Sequence, residues 1–105
     1  MKEITVQELK TKLDNQEDFQ LIDVREQNER EFTNIGGDHI PMGNIMQSMD
    51  QIDKEKDVVI YCRSGSRSGQ VVNFLEANHG FENLYNLKGG ILAWADDIDS
   101  NIKKY

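Results

Sequence analysis

The feature that most constrains the fold of this chain is an apolar run, Val58–Tyr61, that leads directly into its only cysteine, Cys62. Valine, isoleucine and tyrosine favour extended backbone, and four such residues in succession predict a strand buried on both faces. A polar stretch rich in serine and glycine follows, and apolar residues at helical spacing resume at Val71. The sequence therefore places Cys62 at the carboxyl end of a buried strand, just before a helix.

The loop after Cys62 has the composition of an anion receptor around a reactive thiol. Successive backbone N–H groups in a tight loop converge on anions, and the following helix adds partial positive charge. The loop also supplies two guanidinium groups with planar sets of donors. These surroundings favour the thiolate and lower the pKa of a cysteine below its usual value of about 8.5. We therefore predict that Cys62 is the catalytic nucleophile and that five residues form its substrate-binding loop: Arg63, Ser64, Gly65, Ser66 and Arg67.

An inert Cys62 is the alternative, because a cysteine after a strand is most often a small buried apolar residue. Such a residue needs neither neighbouring cations nor a flexible loop. Arg63, Gly65 and Arg67 each have an ordinary explanation alone, as a surface charge or a turn, but together they favour the nucleophile.

Residues 62–67 read C-R-S-G-S-R, which resembles the active-site loop C-R-x-G-x-R of the rhodanese family of sulfurtransferases. The resemblance implies that Cys62 takes a sulfane sulfur from thiosulfate, or from a protein or small-molecule persulfide, and holds it as a covalent persulfide. The sulfur would then pass to cyanide, a thiol or a sulfur-carrier protein. The resemblance implies no metal and no organic cofactor.

A second segment, Asp23-Val24-Arg25-Glu26, resembles the D-V-R-E motif of the same family. From the residues alone, Asp23 and Arg25 lie on one side of an extended strand and form an ion pair that is worth little if exposed. The resemblance implies instead that the pair supports the active-site loop. Asp23 would accept backbone N–H groups from the loop, and Arg25 would be held by a nearby acid.

The segment at residues 87–94 resembles the closing family motif L-x-G-G-x-x-x-W. Gly89 and Gly90 would let this turn pack closely against the active-site loop and support it, since glycine has no side chain. Trp94 would fill the core or line the pocket.

His39 lies in a segment that resembles the family's G-H-I-P-G-A, with Asp38 in place of a glycine and Met42 inserted after the proline. A histidine near a reactive cysteine suggests a general base, but a thiolate already ionised by its loop needs none. We therefore interpret His39 as a structural residue that is bonded to the backbone.

Alternating strand and helix patterns from about residue 19 predict an α/β fold with a mostly parallel sheet covered by helices on both faces. The resemblance implies the same three-layer, rhodanese-like architecture, and ligands in such sheets bind beyond the carboxyl ends of the strands. We expect one domain, residues 1–105, with a core at about 4–98 and a fraying tail at 99–105. The predicted strands lie at 19–24, 58–61 and 81–87, and the predicted helices at 6–15, 27–32, 45–52, 67 or 68 to 78, and from 91.

Composition and charge exclude several classes of function. A formal net charge of -7 argues against binding to nucleic acid or to an anionic membrane surface, and no apolar run is long enough to cross a membrane. One cysteine excludes an internal disulfide, and one cysteine with two separated histidines does not predict a zinc site. The first residues lack the apolar core of a signal peptide, so we expect a cytoplasmic protein.

Three other functions remain open from the sequence. Cysteine phosphatases and arsenate reductases have loops that resemble C-x5-R, one residue longer than the C-x4-R found here, and the shorter loop favours sulfur over phosphate. A sulfur-relay binding module would share the chemistry but take its sulfur from a protein persulfide. A redox-sensing thiol usually works with a second, resolving cysteine, and this chain has none.

Overall fold

The computed structural model describes residues 1–105 as a five-stranded parallel sheet with helices on both faces. The strands lie in the order β1-β5-β4-β2-β3, and every neighbouring pair is parallel. The strands are β1 Lys2–Ile4, β2 Gln20–Asp23, β3 Asp38–His39, β4 Val58–Tyr61 and β5 Leu84–Leu87. The helices are α1 Val6–Asp14, α2 Gln27–Phe32, α3 Ser66–His79 and α4 Gly90–Asp97. These elements confirm the predicted three-layer α/β fold, with the four α-helices close to their predicted positions.

The central strand β4 divides the interior into two apolar cores. All four of its residues are fully buried, and successive side chains of a strand point to opposite faces. Val58, Ile60 and Cys62 therefore belong to the core under α3, whereas Val59 and Tyr61 belong to the core under α1 and α4. Burial of a large apolar side chain contributes roughly 1.5–3 kcal/mol, so this strand anchors both layers and fixes the position of Cys62 at its end.

Glycines define the ends of the helix that follows the active-site loop. Gly65, with a φ of 102°, precedes α3, and Gly80 in the left-handed conformation ends it.

Trp94 on α4 is 7% exposed and fills the core under α1 and α4. No helix in the protein is both long enough and apolar enough to span a bilayer.

The first strand, β1, was not predicted from the sequence. It has only three residues and a single buried side chain, Ile4, which leaves no alternating pattern to recognise. Its strand character comes from pairing with β5, where Ile4 lies opposite Leu87.

The predicted helix at residues 45–52 is wrong. Residues 45–48 form turns, and a short 3-10 helix, Met49–Gln51, follows them. A second 3-10 helix, Met42–Asn44, lies just before the segment. Ile45 and Ile52 are buried, as the pattern indicated, but Met46 is 55% exposed. Ser48 and Asp50 within this segment favour turns over helix, so two buried anchors are not enough to impose a continuous helix.

The carboxyl-terminal tail does not fray as predicted. Ile98, Ile102 and Tyr105 pack against the core under α1 and α4. These three residues recur at helical spacing in the sequence, but the rest of the tail is polar, and its order depends on tertiary contacts that the sequence alone does not reveal.

A buried ion pair lies where β2 ends. Asp23 and Arg25 are both fully buried, and the Arg25 Nε and Nη2 atoms donate to the two carboxylate oxygens of Asp23 at 2.9 and 2.8 Å. The Tyr61 hydroxyl lies 3.1 Å from Asp23 Oδ2, and Arg25 also donates to the Thr33 carbonyl oxygen and the Tyr105 hydroxyl oxygen. Burial opposes the ionisation of Asp23, but the hydrogen bonds from Arg25 outweigh it and hold the pKa of Asp23 below its ordinary value.

We predict that Asp23→Asn strongly destabilises the fold. The substitution keeps the size of the side chain but leaves the Arg25 guanidinium buried without a counter-ion, which costs about 3–5 kcal/mol in the free energy of unfolding. Urea denaturation measures this loss. Asp14→Asn is the control, because Asp14 pairs with Lys10 on the surface and exposed pairs contribute little. Similar unfolding free energies for the two variants would contradict the prediction.

Candidate active site

Three hydrogen-bond donors converge on the sulfur of Cys62. The Cys62 Sγ atom lies 3.1 Å from the Gly65 backbone nitrogen, 3.4 Å from the Ser68 backbone nitrogen and 3.3 Å from the Ser68 hydroxyl oxygen. These donors belong to the loop after β4 and to the first turn of α3. Cys62 is 1% exposed, so the sulfur is enclosed by its own loop.

The pKa of the Cys62 thiol lies below its ordinary value. Burial of the sulfur opposes ionisation, but hydrogen bonds from the Ser68 hydroxyl and from the backbone N–H groups of Ser68, Gly65 and Ser64 outweigh it. Donors that point at a sulfur stabilise its negative charge. The loop therefore favours the reactive thiolate even though it shields the sulfur from water.

The sequence analysis missed Ser68 and Asn86. The Ser68 hydroxyl, which is fully buried, lies 2.5 Å from Asn86 Oδ1, and Asn86 Nδ2 donates to the Gly65 carbonyl oxygen at 3.0 Å. A serine hydroxyl carries one proton, so Asn86 Oδ1 and Cys62 Sγ compete for it, and ionisation of the thiol favours donation to the sulfur. Asn86 thus holds the loop through Gly65 and orients the Ser68 hydroxyl beside the sulfur. Both residues could have been recognised as polar residues at positions where the pattern predicts apolar ones. Ser68 lies three residues before Val71 on the inner face of α3, and Asn86 interrupts the apolar strand β5.

The first turn of α4 is hydrogen-bonded to the active-site loop. The Ile91 and Leu92 backbone nitrogens donate to the carbonyl oxygens of Cys62 and Arg63 at 3.0 and 3.1 Å. Gly90 has a φ of 61°, and a Cβ atom there would lie 2.4 Å from the Arg63 carbonyl oxygen. Only glycine permits this approach. Gly90 therefore lies directly against the active-site loop, with Gly89 as the residue that precedes the helix.

Arg67 is held in place by Glu29 of α2. Its Nη1 and Nη2 atoms donate to Glu29 Oε1 and Oε2 at 2.7 and 2.9 Å, a bidentate pair. Hydrogen bonds from Arg67 lower the pKa of Glu29 to about 2. The carboxylate is therefore charged at every pH at which Cys62 is a thiolate. Glu29 was not predicted as a site residue, although it lies one helical turn after Arg25.

Arg63 is held by Tyr105. Its guanidinium donates to the main-chain oxygen of Tyr105 and lies over the Tyr105 ring, 5.2 Å from the ring centre. Arg63, Ser64 and Ser66 are exposed at the mouth of the loop. The backbone N–H group of Ser66 begins α3 and has no acceptor within the helix, so it is free to bind an anion.

The Asp23–Arg25 pair supports the loop indirectly rather than through Asp23. Asp23 accepts the backbone N–H and guanidinium of Arg25, and not the backbone N–H groups of the loop, as the resemblance implied. The predicted acid that holds Arg25 is Asp23 itself. The link to the loop runs from Arg25 to the Tyr105 hydroxyl, then to Glu29, and then to Arg67.

His39 is a structural residue, as interpreted from the sequence. Its Nε2 atom lies 2.7 Å from the Arg25 carbonyl oxygen, where β3 pairs with β2 at the position Asp23–His39. The chain has no group of three or more histidine, cysteine, aspartate or glutamate side chains arranged to hold a metal ion. A cavity of about 610 Å³ lies at the amino end of β2 near Gln20 and Lys56, at the opposite edge of the sheet from Cys62.

The comparisons with known proteins agree with this geometry. The sequence matches the family model of the rhodanese-like domain over residues 5–97. A sulfurtransferase of Allochromatium vinosum is 42% identical over 94 residues, which cover 89% of this chain and 87% of that protein. An adenylyltransferase and sulfurtransferase of Saccharomyces cerevisiae is 33% identical over 61 residues, which cover 58% of this chain and 14% of that protein.

A solved structure shows the same fold over the whole chain. The rhodanese-like domain protein from Staphylococcus aureus has a TM-score of 0.83 and 34% identity, and the match covers 100% of this chain and 99% of that one. Family model, relatives and structure thus point to the same assignment. The chain belongs to the rhodanese-like domain family.

Proposed function

We propose that this protein is a sulfurtransferase that carries a sulfane sulfur as a persulfide on Cys62. The observation that carries the proposal is the convergence of the Gly65 and Ser68 donors on the Cys62 sulfur, at the amino end of α3. This arrangement favours an ionised nucleophile and leaves further donors for an anionic substrate. Membership of a family with sulfurtransferase relatives supports the same chemistry.

The first step takes sulfur from thiosulfate. The Cys62 thiolate attacks the outer sulfur, a new S–S bond forms to Cys62, and the S–S bond of thiosulfate breaks. Sulfite leaves with the electron pair of that bond and two negative charges, and the outer sulfur, now bonded to Cys62, keeps the single negative charge of the persulfide. No proton and no external oxidant is needed.

The loop has two tasks in this step. Arg67, fixed by Glu29, attracts the dianion and neutralises part of its charge. The backbone N–H groups of Ser66 and Arg67 stabilise the charge that develops on the transferred sulfur, and one such donor is worth about 2.7–4 kcal/mol in related oxyanion sites. Ser64, Gly65 and Arg63 complete the mouth of the substrate-binding loop.

The second step passes the sulfur to a thiophilic acceptor. Cyanide, or a thiolate, attacks the outer sulfur of the Cys62 persulfide, and the electron pair of the broken S–S bond returns to Cys62 as the thiolate. Cyanide leaves as thiocyanate. The same donors stabilise the thiolate before and after the cycle, so we propose no cofactor beyond the covalent persulfide.

A protein persulfide as donor, or a sulfur-carrier protein as acceptor, is the second candidate. An apolar groove of about 280 Å³, lined by residues that include Met42, Met46 and Phe74, lies one helical turn beyond Arg67 along α3. These three side chains are 38%, 55% and 38% exposed, and exposed apolar surface of this kind favours protein contacts.

Intact mass spectrometry after exposure to thiosulfate tests the proposal. We expect the wild-type protein to gain the mass of one sulfur atom and to lose it again on addition of cyanide. The Cys62→Ser variant should gain nothing, because it lacks the nucleophile. A protein that gains no sulfur from thiosulfate or from a small-molecule or protein persulfide would contradict the proposal, as would a gain in the Cys62→Ser variant.

We also predict that Ser68→Ala slows the reaction of Cys62 with iodoacetamide. Loss of the hydroxyl donor raises the pKa of Cys62, so less thiolate is present at any pH below that pKa. One hydrogen bond to a charged group is worth about 1.5–3 kcal/mol, which corresponds to a midpoint about one to two pH units higher. The pH profile of alkylation should move to higher pH.

Ser100→Ala provides the control, because Ser100 is exposed and remote from the loop. Its alkylation profile should match that of the wild type. An unshifted profile for folded Ser68→Ala protein would show that the hydroxyl does not stabilise the thiolate.

A further inference from the structure

Tyr105 makes contacts that no part of the proposed chemistry explains. Its hydroxyl donates to Glu29 Oε2 at 2.7 Å and accepts from Arg25 Nη1 at 2.9 Å. Tyr105 is half-buried and lies 76 residues from Glu29 in the sequence. A tail residue thus connects the buried Asp23–Arg25 pair to the carboxylate that holds Arg67.

The Glu29 carboxylate has few other supports. Besides Arg67 and Tyr105, it accepts only the Glu26 backbone N–H, at 3.1 Å from Oε1. Oε2 therefore depends on the Tyr105 hydroxyl as its only donor apart from Arg67. Removal of that hydroxyl leaves one side of the carboxylate unrestrained and gives the Arg67 guanidinium more freedom to move.

We propose that Tyr105 is a positioning residue that fixes Arg67, through Glu29, in the orientation that binds anionic substrates at Cys62. This inference rests on the proposed use of the Cys62 loop as an anion receptor. The Tyr105 ring also lies under the Arg63 guanidinium. The same side chain therefore contacts one loop arginine directly and the other through Glu29.

The hydroxyl of Tyr105 is separable from the packing of its ring. The ring makes an edge contact with Phe32, with centres 5.8 Å apart, and packs against the core under α1 and α4. Tyr105→Phe keeps these contacts and removes only the bridge between Glu29 and Arg25. The donors to the Cys62 sulfur belong to Gly65 and Ser68, so the variant should leave the ionisation of the thiol unchanged.

The test compares the alkylation of Cys62 by iodoacetate, which is an anion, and by iodoacetamide, which is neutral and of similar size. In the wild type, the positioned Arg67 should favour iodoacetate and raise the ratio of the two rate constants. In Tyr105→Phe we expect this ratio to fall by about three- to tenfold, less than the full value of one hydrogen bond to a charged group, because the hydroxyl acts on the anion only through Glu29 and Arg67. The pH profile with iodoacetamide should stay where it is in the wild type.

Tyr85→Phe provides the matched control. It removes another half-buried tyrosine hydroxyl, one that makes no hydrogen bond within the protein, and should leave the ratio unchanged. With thiosulfate as substrate, Tyr105→Phe should raise KM and leave kcat nearly unchanged.

The outcomes separate a positioning role from a structural one. An unchanged ratio in Tyr105→Phe overturns the proposal, and so does an equal loss of rate with both reagents, which indicates general loosening of the fold. A wild type with no preference for iodoacetate also overturns it. Because alkylation needs no sulfur transfer, a protein that forms no persulfide with thiosulfate still yields this measurement, and the two proposals fail independently.

Discussion

The structure depends on the convergence of hydrogen-bond donors on one buried sulfur. Cys62 follows a strand that is buried on both faces, and such burial alone would favour the neutral thiol. Donors from Gly65 and Ser68 reverse that preference. Their geometry in turn depends on a glycine before α3, on Asn86 beneath the loop and on α4, whose first turn binds the loop carbonyl groups. These neighbouring residues therefore orient the backbone N–H groups of the loop toward the Cys62 sulfur.

A second set of contacts positions the charged side chain of Arg67 rather than the sulfur of Cys62. It begins at the buried pair of Asp23 and Arg25, passes through Tyr105 to Glu29, and ends at Arg67. These residues come from β2, α2, α3 and the tail, so the system unites segments that are distant in the sequence. A buried ion pair offers little net stability by itself, but loss of either partner is costly. Its best use here is geometric, because it provides a rigid anchor for the arginine that faces the anion site.

Local patterns in the sequence predicted the centre of the fold and the centre of the site. An apolar run followed by Cys62 and a polar loop is a contiguous signal, and the helix after it has regular spacing. Features that depend on distant contacts were missed or wrong. β1 is a strand because it pairs with β5. The tail is ordered because its apolar residues pack on a distant core and Tyr105 bonds to Arg25 and Glu29. Residues 45–52 have two buried isoleucines but no α-helix. Ser68 and Asn86 were visible as polar residues in apolar patterns, but their partnership across α3 and β5 was not.

The central claim is that the loop itself ionises Cys62, and direct titration of that thiol tests it. The chain has one cysteine, so the ¹³Cβ chemical shift of Cys62, followed by NMR as a function of pH, reports a single ionisation without a chemical probe. The account predicts a midpoint clearly below the ordinary value of about 8.5 for a free cysteine. A midpoint at or above that value would mean that burial outweighs the donors, and it would contradict the account.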